Sequence, residues 1–153
     1  MKKFELTTES ITFLGRTLFR IKALISFGNV KAGELGGYIE KEGNLSHEGN
    51  AWVCGDARVC GNARVYGDAW VCGDARVCGN ADIATISGFG SEYRTTTFFR
   101  TKNDEIAVKC GCFYGTLAEF REKVKETHGD NRYAKEYLMI ADLMEMHFRG
   151  EEE

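Results

Sequence analysis

Residues 49–84 read GNAWVC GDARVC GNARVY GDAWVC GDARVC GNADIA, six consecutive hexads without an insertion. A period of six fits neither a helix nor a simple hairpin, so this stretch limits what the rest of the chain can build around it. Two looser hexads, GYIEKE and GNLSHE, carry the glycine frame back to Gly37. Each regular hexad places a branched residue (Val53, Val59, Val65, Val71, Val77, Ile83) two positions after an alanine (Ala51, Ala57, Ala63, Ala69, Ala75, Ala81). Residues two apart in an extended segment face the same side, so each Ala/Val pair is expected to enter a narrow interior together. Gly-Asp or Gly-Asn then turns the corner. With 18 Gly and no Pro, turns in this chain rest on Gly, Asn and Asp. Three six-residue sides close a triangular coil of 18 residues, whose parallel strands stack at about 4.8 Å.

A second periodicity lies inside the first. Trp52 recurs at Trp70, Cys54 at Cys72, Arg58 at Arg76 and Cys60 at Cys78, each pair 18 apart. Each member is expected directly above its mate on the outer surface. One outer face then reads Trp52, Cys54, Trp70 and Cys72, and a second reads Arg58, Cys60, Arg76 and Cys78. The third is mixed, with Arg64, Tyr66 and Asp82.

The hexads over residues 37–84 resemble the hexapeptide-repeat family, whose fold is the left-handed parallel β-helix. Together with the flanks, this gives an expected mainly β chain in three parts. Residues 1–36 form an N-terminal β cap, 37–84 the short β-helix, and 85–153 a C-terminal ββαα unit. The flanks are also read directly. Residues 17–27, TLFRIKALISF, alternate as a strand, preceded by a shorter one at Ile11–Phe13 and a turn at Gly15. Such strands would cover the open first coil, which otherwise exposes apolar stacks and unpaired edges. Thr95–Thr101 and Glu105–Cys112 read as a hairpin across Asn103-Asp104. Thr116-Leu117-Ala118-Glu119 is a capping box opening a helix to about His128, and Gly129 stops it. Asp130 or Asn131 then caps a second helix with Tyr133, Tyr137, Ile140, Met144 and Phe148 on one stripe. The ββαα unit is expected to dock on the coil or on another subunit. The segments VKAGELGGYIE and CGCFYGTLAEF also look like uncharacterised bacterial and phage proteins, for which no activity is carried over.

Charge excludes some functions. Twenty Lys and Arg against 23 Asp and Glu give a net charge of −3, which lacks the positive field of a general nucleic-acid or membrane-surface binder. No apolar run approaches a membrane span and no leader follows Lys2-Lys3, so a cytoplasmic protein with mostly reduced cysteines is expected. The stacked cysteines are read as outer-face filler, because in-register side chains point the same way. Cys110-Gly111-Cys112 is read as two thiols on one strand face and not as a metal half-site, since no second close pair follows. No metal and no cofactor are expected.

The resemblance also implies an enzyme to test, because hexapeptide-repeat proteins are often acyltransferases with a histidine base. His47 is the one histidine in the repeat, at a position where later hexads place an inward Val. It serves as catalytic base only in this alternative, where Arg58, Arg64 and Arg76 would hold a phosphate-containing donor. The zinc carbonic anhydrases of the same fold need three converging histidines, whereas the three here lie in different elements. The favoured expectation is a non-enzymatic, self-associating binding or assembly protein, of phage or mobile-element accessory type. Its homotrimer would form through Trp52, Cys54, Trp70 and Cys72. Arg58, Arg64 and Arg76 would bind a small anionic ligand or a host protein, because stacked guanidinium groups repel unless an anion lies between them.

Overall fold

The computed structural model describes residues 2–149. The chain opens on a long hairpin, β1 (Phe4–Phe13) and β2 (Arg16–Ala23), turned by Leu14 and Gly15, both at positive φ. β3 (Leu35–Ile39) pairs antiparallel with β2 and leads into the repeat. The repeat supplies only two-residue strands: β4 (Trp52–Val53), β5 (Arg58–Val59), β6 (Trp70–Val71) and β7 (Arg76–Val77). Four longer strands follow, β8 (Ile83–Phe89), β9 (Arg94–Arg100), β10 (Ile106–Cys110) and β11 (Phe113–Thr116). Helices α1 (Leu117–His128) and α2 (Arg132–Arg149) end the described chain.

These strands form a mixed five-stranded sheet in the order β1-β2-β3-β5-β7, an antiparallel sheet β11-β10-β9-β8, and a parallel pair β4-β6. The molecule is mainly β with two C-terminal helices, but its sheets are small and, apart from the two-residue parallel pair β4-β6, antiparallel or mixed. This corrects the expected left-handed parallel β-helix. The reason lies in the length of the sides. Gly49, Gly55, Gly61, Gly67 and Gly73 all sit near φ +65 and leave two strand residues between corners. The third side carries a single bridge, Leu45↔Val65, in place of a sheet. The N-terminal hairpin then continues one ladder antiparallel, and β8–β11 take over after the fifth hexad.

Where hexads do stack, their spacing is as read. Trp52 pairs with Trp70 and Arg58 with Arg76 in parallel register. The Ala and Val of the first five hexads, from Ala51 to Val77, are fully buried in one core. The sixth hexad departs, with Ala81 exposed and Ile83 turned into β8 to pair with Phe99. The two looser hexads depart as well, since Tyr38 pairs with Arg58 and Leu45 with Val65. That pass is two residues longer than the next, and it buries Ile39 and Leu45 where the glycine frame pointed to Lys41 and His47.

The C-terminal unit docks on its own repeat. Phe99 and Ala107 enter the Ala/Val core, while Phe98 and Val108, next to them in sequence, face α1 and α2. The sheet is thus buried on both faces, which makes β8 and β11 necessary additions to the expected ββαα unit. Thr116 and Glu119 form the reciprocal cap of α1, and Asn131 accepts from Ala134 N to cap α2. Ala134, Tyr137, Ile140, Ala141, Met144 and Phe148 make the buried stripe of α2. Tyr133, expected on that stripe, is half-buried. No helix in the described residues is long and apolar enough to cross a membrane.

Candidate functional site

One column of the five-stranded sheet carries Arg20, Tyr38, Arg58 and Arg76 on adjacent strands. Arg20 is neutralised within the column, with Nε 3.0 Å from Glu9 and its guanidinium over the Tyr38 ring at 4.4 Å. Arg58 and Arg76 have no such partner. Neither makes an ion pair among the described residues, and Arg58 Nε is buried without an acceptor there. Arg76 Nη1 donates to the carbonyls of Ala75 at 2.8 Å and Asp56 at 3.3 Å. Burial, and then the neighbouring Arg58 charge, hold Arg76 below the usual arginine range.

Phe13, at the tip of the N-terminal hairpin, roofs both groups, its ring centroid 5.0 Å from the Arg58 guanidinium and 5.7 Å from that of Arg76. Cation–π contact offsets part of the repulsion without supplying a counter-charge. Beyond Arg76 opens a cavity of about 430 Å³ lined by Phe13, Arg76, Asp82, Arg100, Lys102 and Asp104, with Thr101. Arg100 is held by Asp82 at 2.9 Å and Asp104 at 3.3 Å, and Lys102 is 3.8 Å from Asp74. Arg76, with Arg58 behind it, is therefore left without an ion pair among the described residues, and Asp74 and Asp56 answer its charge only from farther away. An anion in the cavity would meet a donor fork, an ammonium and an aromatic wall. That arrangement suits a phosphate or carboxylate by charge-assisted hydrogen bonding.

The other expected site residues lie elsewhere. Arg64 is exposed beside a small depression with Tyr66 and Ile83, so the structure does not bring it to Arg58 and Arg76. Trp52 is fully buried, with Phe27 edge-on at 5.3 Å, which corrects its assignment to an exposed interface. Trp70 is half-buried and fixed from two sides, as its Nε1 donates to Asn50 O at 3.0 Å and its backbone N donates to Thr97 Oγ1. Cys54 and Cys72 form a disulfide, which corrects the expectation of reduced filler. Strand stacking sets their Cα atoms 4.7 Å apart, within the range a disulfide spans, so same-side side chains still meet. Of the four residues assigned to a trimer face, Trp52 is covered from within the chain, while Cys54, Trp70 and Cys72 are half-exposed. Cys60 and Cys78 are unbonded with sulfurs 3.1 Å apart, and burial pushes the Cys60 thiol up to about 12.

His47 is a tether. Its Nδ1 accepts from Lys3 N at 3.1 Å, its Nε2 lies 2.9 Å from Glu42, and its ring stacks on Phe4 at 4.2 Å. The His47 and Lys2 contacts hold the Glu42 carboxyl below the usual range. With both ring nitrogens engaged by the chain, neither is free to act as a base. Cys110 ends β10, while Cys112 is exposed in the two-residue turn to β11. This corrects their placement on one strand face, and Gly111 at φ +58 supplies the turn.

Sequence reasoning missed Phe13, Arg100 and Lys102 as parts of the cavity. Arg58 and Arg76 announce themselves by the 18-residue spacing, whereas these three reach the same place from the hairpin tip, the end of β9 and the turn after it, with no local signal. No protein-family model matches the chain, and no curated protein matches it.

Proposed function

We propose that this chain is a non-enzymatic binding protein that takes a small anionic ligand in the cavity of Phe13, Arg76 and Lys102. The reading keeps the accessory character implied by the phage-like segments. The observation that carries it is the stacked Arg58–Arg76 pair without a carboxylate partner among the described residues. Two like charges at strand spacing are destabilising unless a counter-charge joins them, and the open cavity beside Arg76 is where one fits. The acyltransferase alternative loses support because both nitrogens of His47 are committed to Lys3 and Glu42.

Calorimetric titration with inorganic pyrophosphate tests the reading. Saturable binding is expected, abolished by Arg58→Ala with Arg76→Ala and weakened by Lys102→Ala, while His47→Ala leaves it intact. Unchanged affinity in the double arginine variant overturns the proposal. Thermal stability gives a second readout, because a ligand at 100 times its Kd adds about 2.7 kcal/mol to the folded state.

A further inference from the structure

A separate cleft of about 650 Å³ lies where the turns before β4 and β6 meet β9 and β10. Its wall is Trp70, the half-exposed member of the tryptophan pair, held in place by Asn50 and Thr97. Lys109 places its Nζ over the Trp70 ring, 5.8 Å from the centroid, and also donates to Gly111 O. Arg94 lies directly against Gly111, close enough that a Cβ there would strike its Nη1. Neither Arg94 nor Lys109 makes an ion pair among the described residues. Asp68 is the one carboxylate in the lining, and Asn29 and Asn50 add amides.

An indole fixed at its N–H and backbone presents a rigid flat surface on which a planar ring stacks. Lys109 over the ring and Arg94 beside Gly111 attract an anionic group, and Arg94 can hold it in two hydrogen bonds. The carboxylate and amides offer partners for ring amino groups or sugar hydroxyls. A flat ring joined through a polyol to an anion matches all three features. We propose that this cleft is a nucleoside-phosphate site, with the base on Trp70 and the phosphate held by Arg94 and Lys109. The site is independent of the Arg58–Arg76 cavity and stands or falls without it.

Cys112 reports on occupancy, since it is exposed in the lining of this cleft while Cys60 is buried. The test titrates the intact protein with adenosine monophosphate, glucuronate and inorganic phosphate, following tryptophan fluorescence and the alkylation rate of Cys112 by mass spectrometry. The nucleotide is expected to quench fluorescence saturably and slow Cys112 alkylation. Arg94→Gln with Lys109→Met should weaken it by about tenfold or more, and Arg58→Ala with Arg76→Ala should leave it unchanged. Trp70→Phe, which keeps a stacking face, removes the quenching while retaining protection of Cys112. Glucuronate binding as tightly as the nucleotide overturns the assignment in favour of an acidic sugar. No saturable nucleotide response to about 10 mM, or quenching without protection of Cys112, overturns the site itself.

Discussion

Replacing Asn44 by alanine tests how the first pass of the repeat is joined to the next. Asn44 is fully buried and its amide makes four hydrogen bonds to backbone. Oδ1 accepts from Glu40 N at 3.1 Å and Lys41 N at 2.9 Å. Nδ2 donates to Gly61 O at 3.2 Å and Ala63 O at 2.8 Å. The Ala63 bond is buried, and leaving that carbonyl unpaired costs about 2 kcal/mol; the three partly buried bonds add about 0.5–1 kcal/mol each. The sum is about 4 kcal/mol, a large share of the roughly 5–15 kcal/mol that stabilises an ordinary domain. Asn44→Asp sharpens the test, because it keeps the acceptor for Glu40 and Lys41 but turns an oxygen toward two carbonyls. That carboxyl fits only when protonated, so its folded-state pKa is raised and the stability it restores below that pKa is lost as pH rises through it. Urea unfolding followed by tryptophan fluorescence gives the change from the midpoint at constant m. Asn44→Ala should lose about 4 kcal/mol and Asn44→Asp at least as much at neutral pH, with partial recovery in acid. A loss below about 1 kcal/mol for both variants would refute the reasoning.

Reduction of Cys54–Cys72 releases a loop of 18 residues and should lower stability by about 3 kcal/mol. A urea midpoint that does not move with reductant, in the wild type, contradicts this. The facing thiols of Cys60 and Cys78 should close under mild oxidation, seen as the loss of two hydrogens by mass spectrometry and blocked in Cys78→Ser. Lys3 is buried, donates to Ala51 O at 2.7 Å, and burial pulls its pKa from the ordinary 10.5 to about 8. Between pH 8 and 10.5 the unfolded chain therefore holds a proton the folded chain has released, so stability rises with pH across that window and then levels. The rise should vanish from the wild-type minus Lys3→Met difference only if Lys3 is not its source. Thr116→Ala removes the cap of α1 and should cost about 1 kcal/mol in thermal unfolding, with Ser restoring most of it.

Local patterns were legible wherever the physics is local. Of the six inward pairs the spacing picked out, five hold and Ala81/Ile83 does not; the capping box set the start of α1, and Gly129 its end. The 18-residue recurrence of Arg58 and Arg76 located the charged half of the candidate site. Asn44, however, occupies the same hexad position as Asn62 and Asn80, both exposed, and pattern alone cannot separate them. Asn44 is buried because the first pass is two residues longer than the next, which leaves the carbonyls of Gly61 and Ala63 for a side chain to meet. Lys3, which the sequence marked only as one of two lysines at the start, fills an equivalent gap over Gly49 and Ala51.

By itself, then, the sequence determined the inward side of Ala and Val in five hexads, the corners between them, the cap of α1 and the stacked arginine pair, because neighbours within a few residues or one fixed period settle those. Only the tertiary structure decided that the strands gather into antiparallel and mixed sheets, that Trp52 is covered from within the chain, and that Phe13 and Lys102 complete the cavity beside Arg76. These outcomes depend on which distant segments close over an open edge, and that competition for unpaired backbone and apolar surface leaves no periodic mark in the chain.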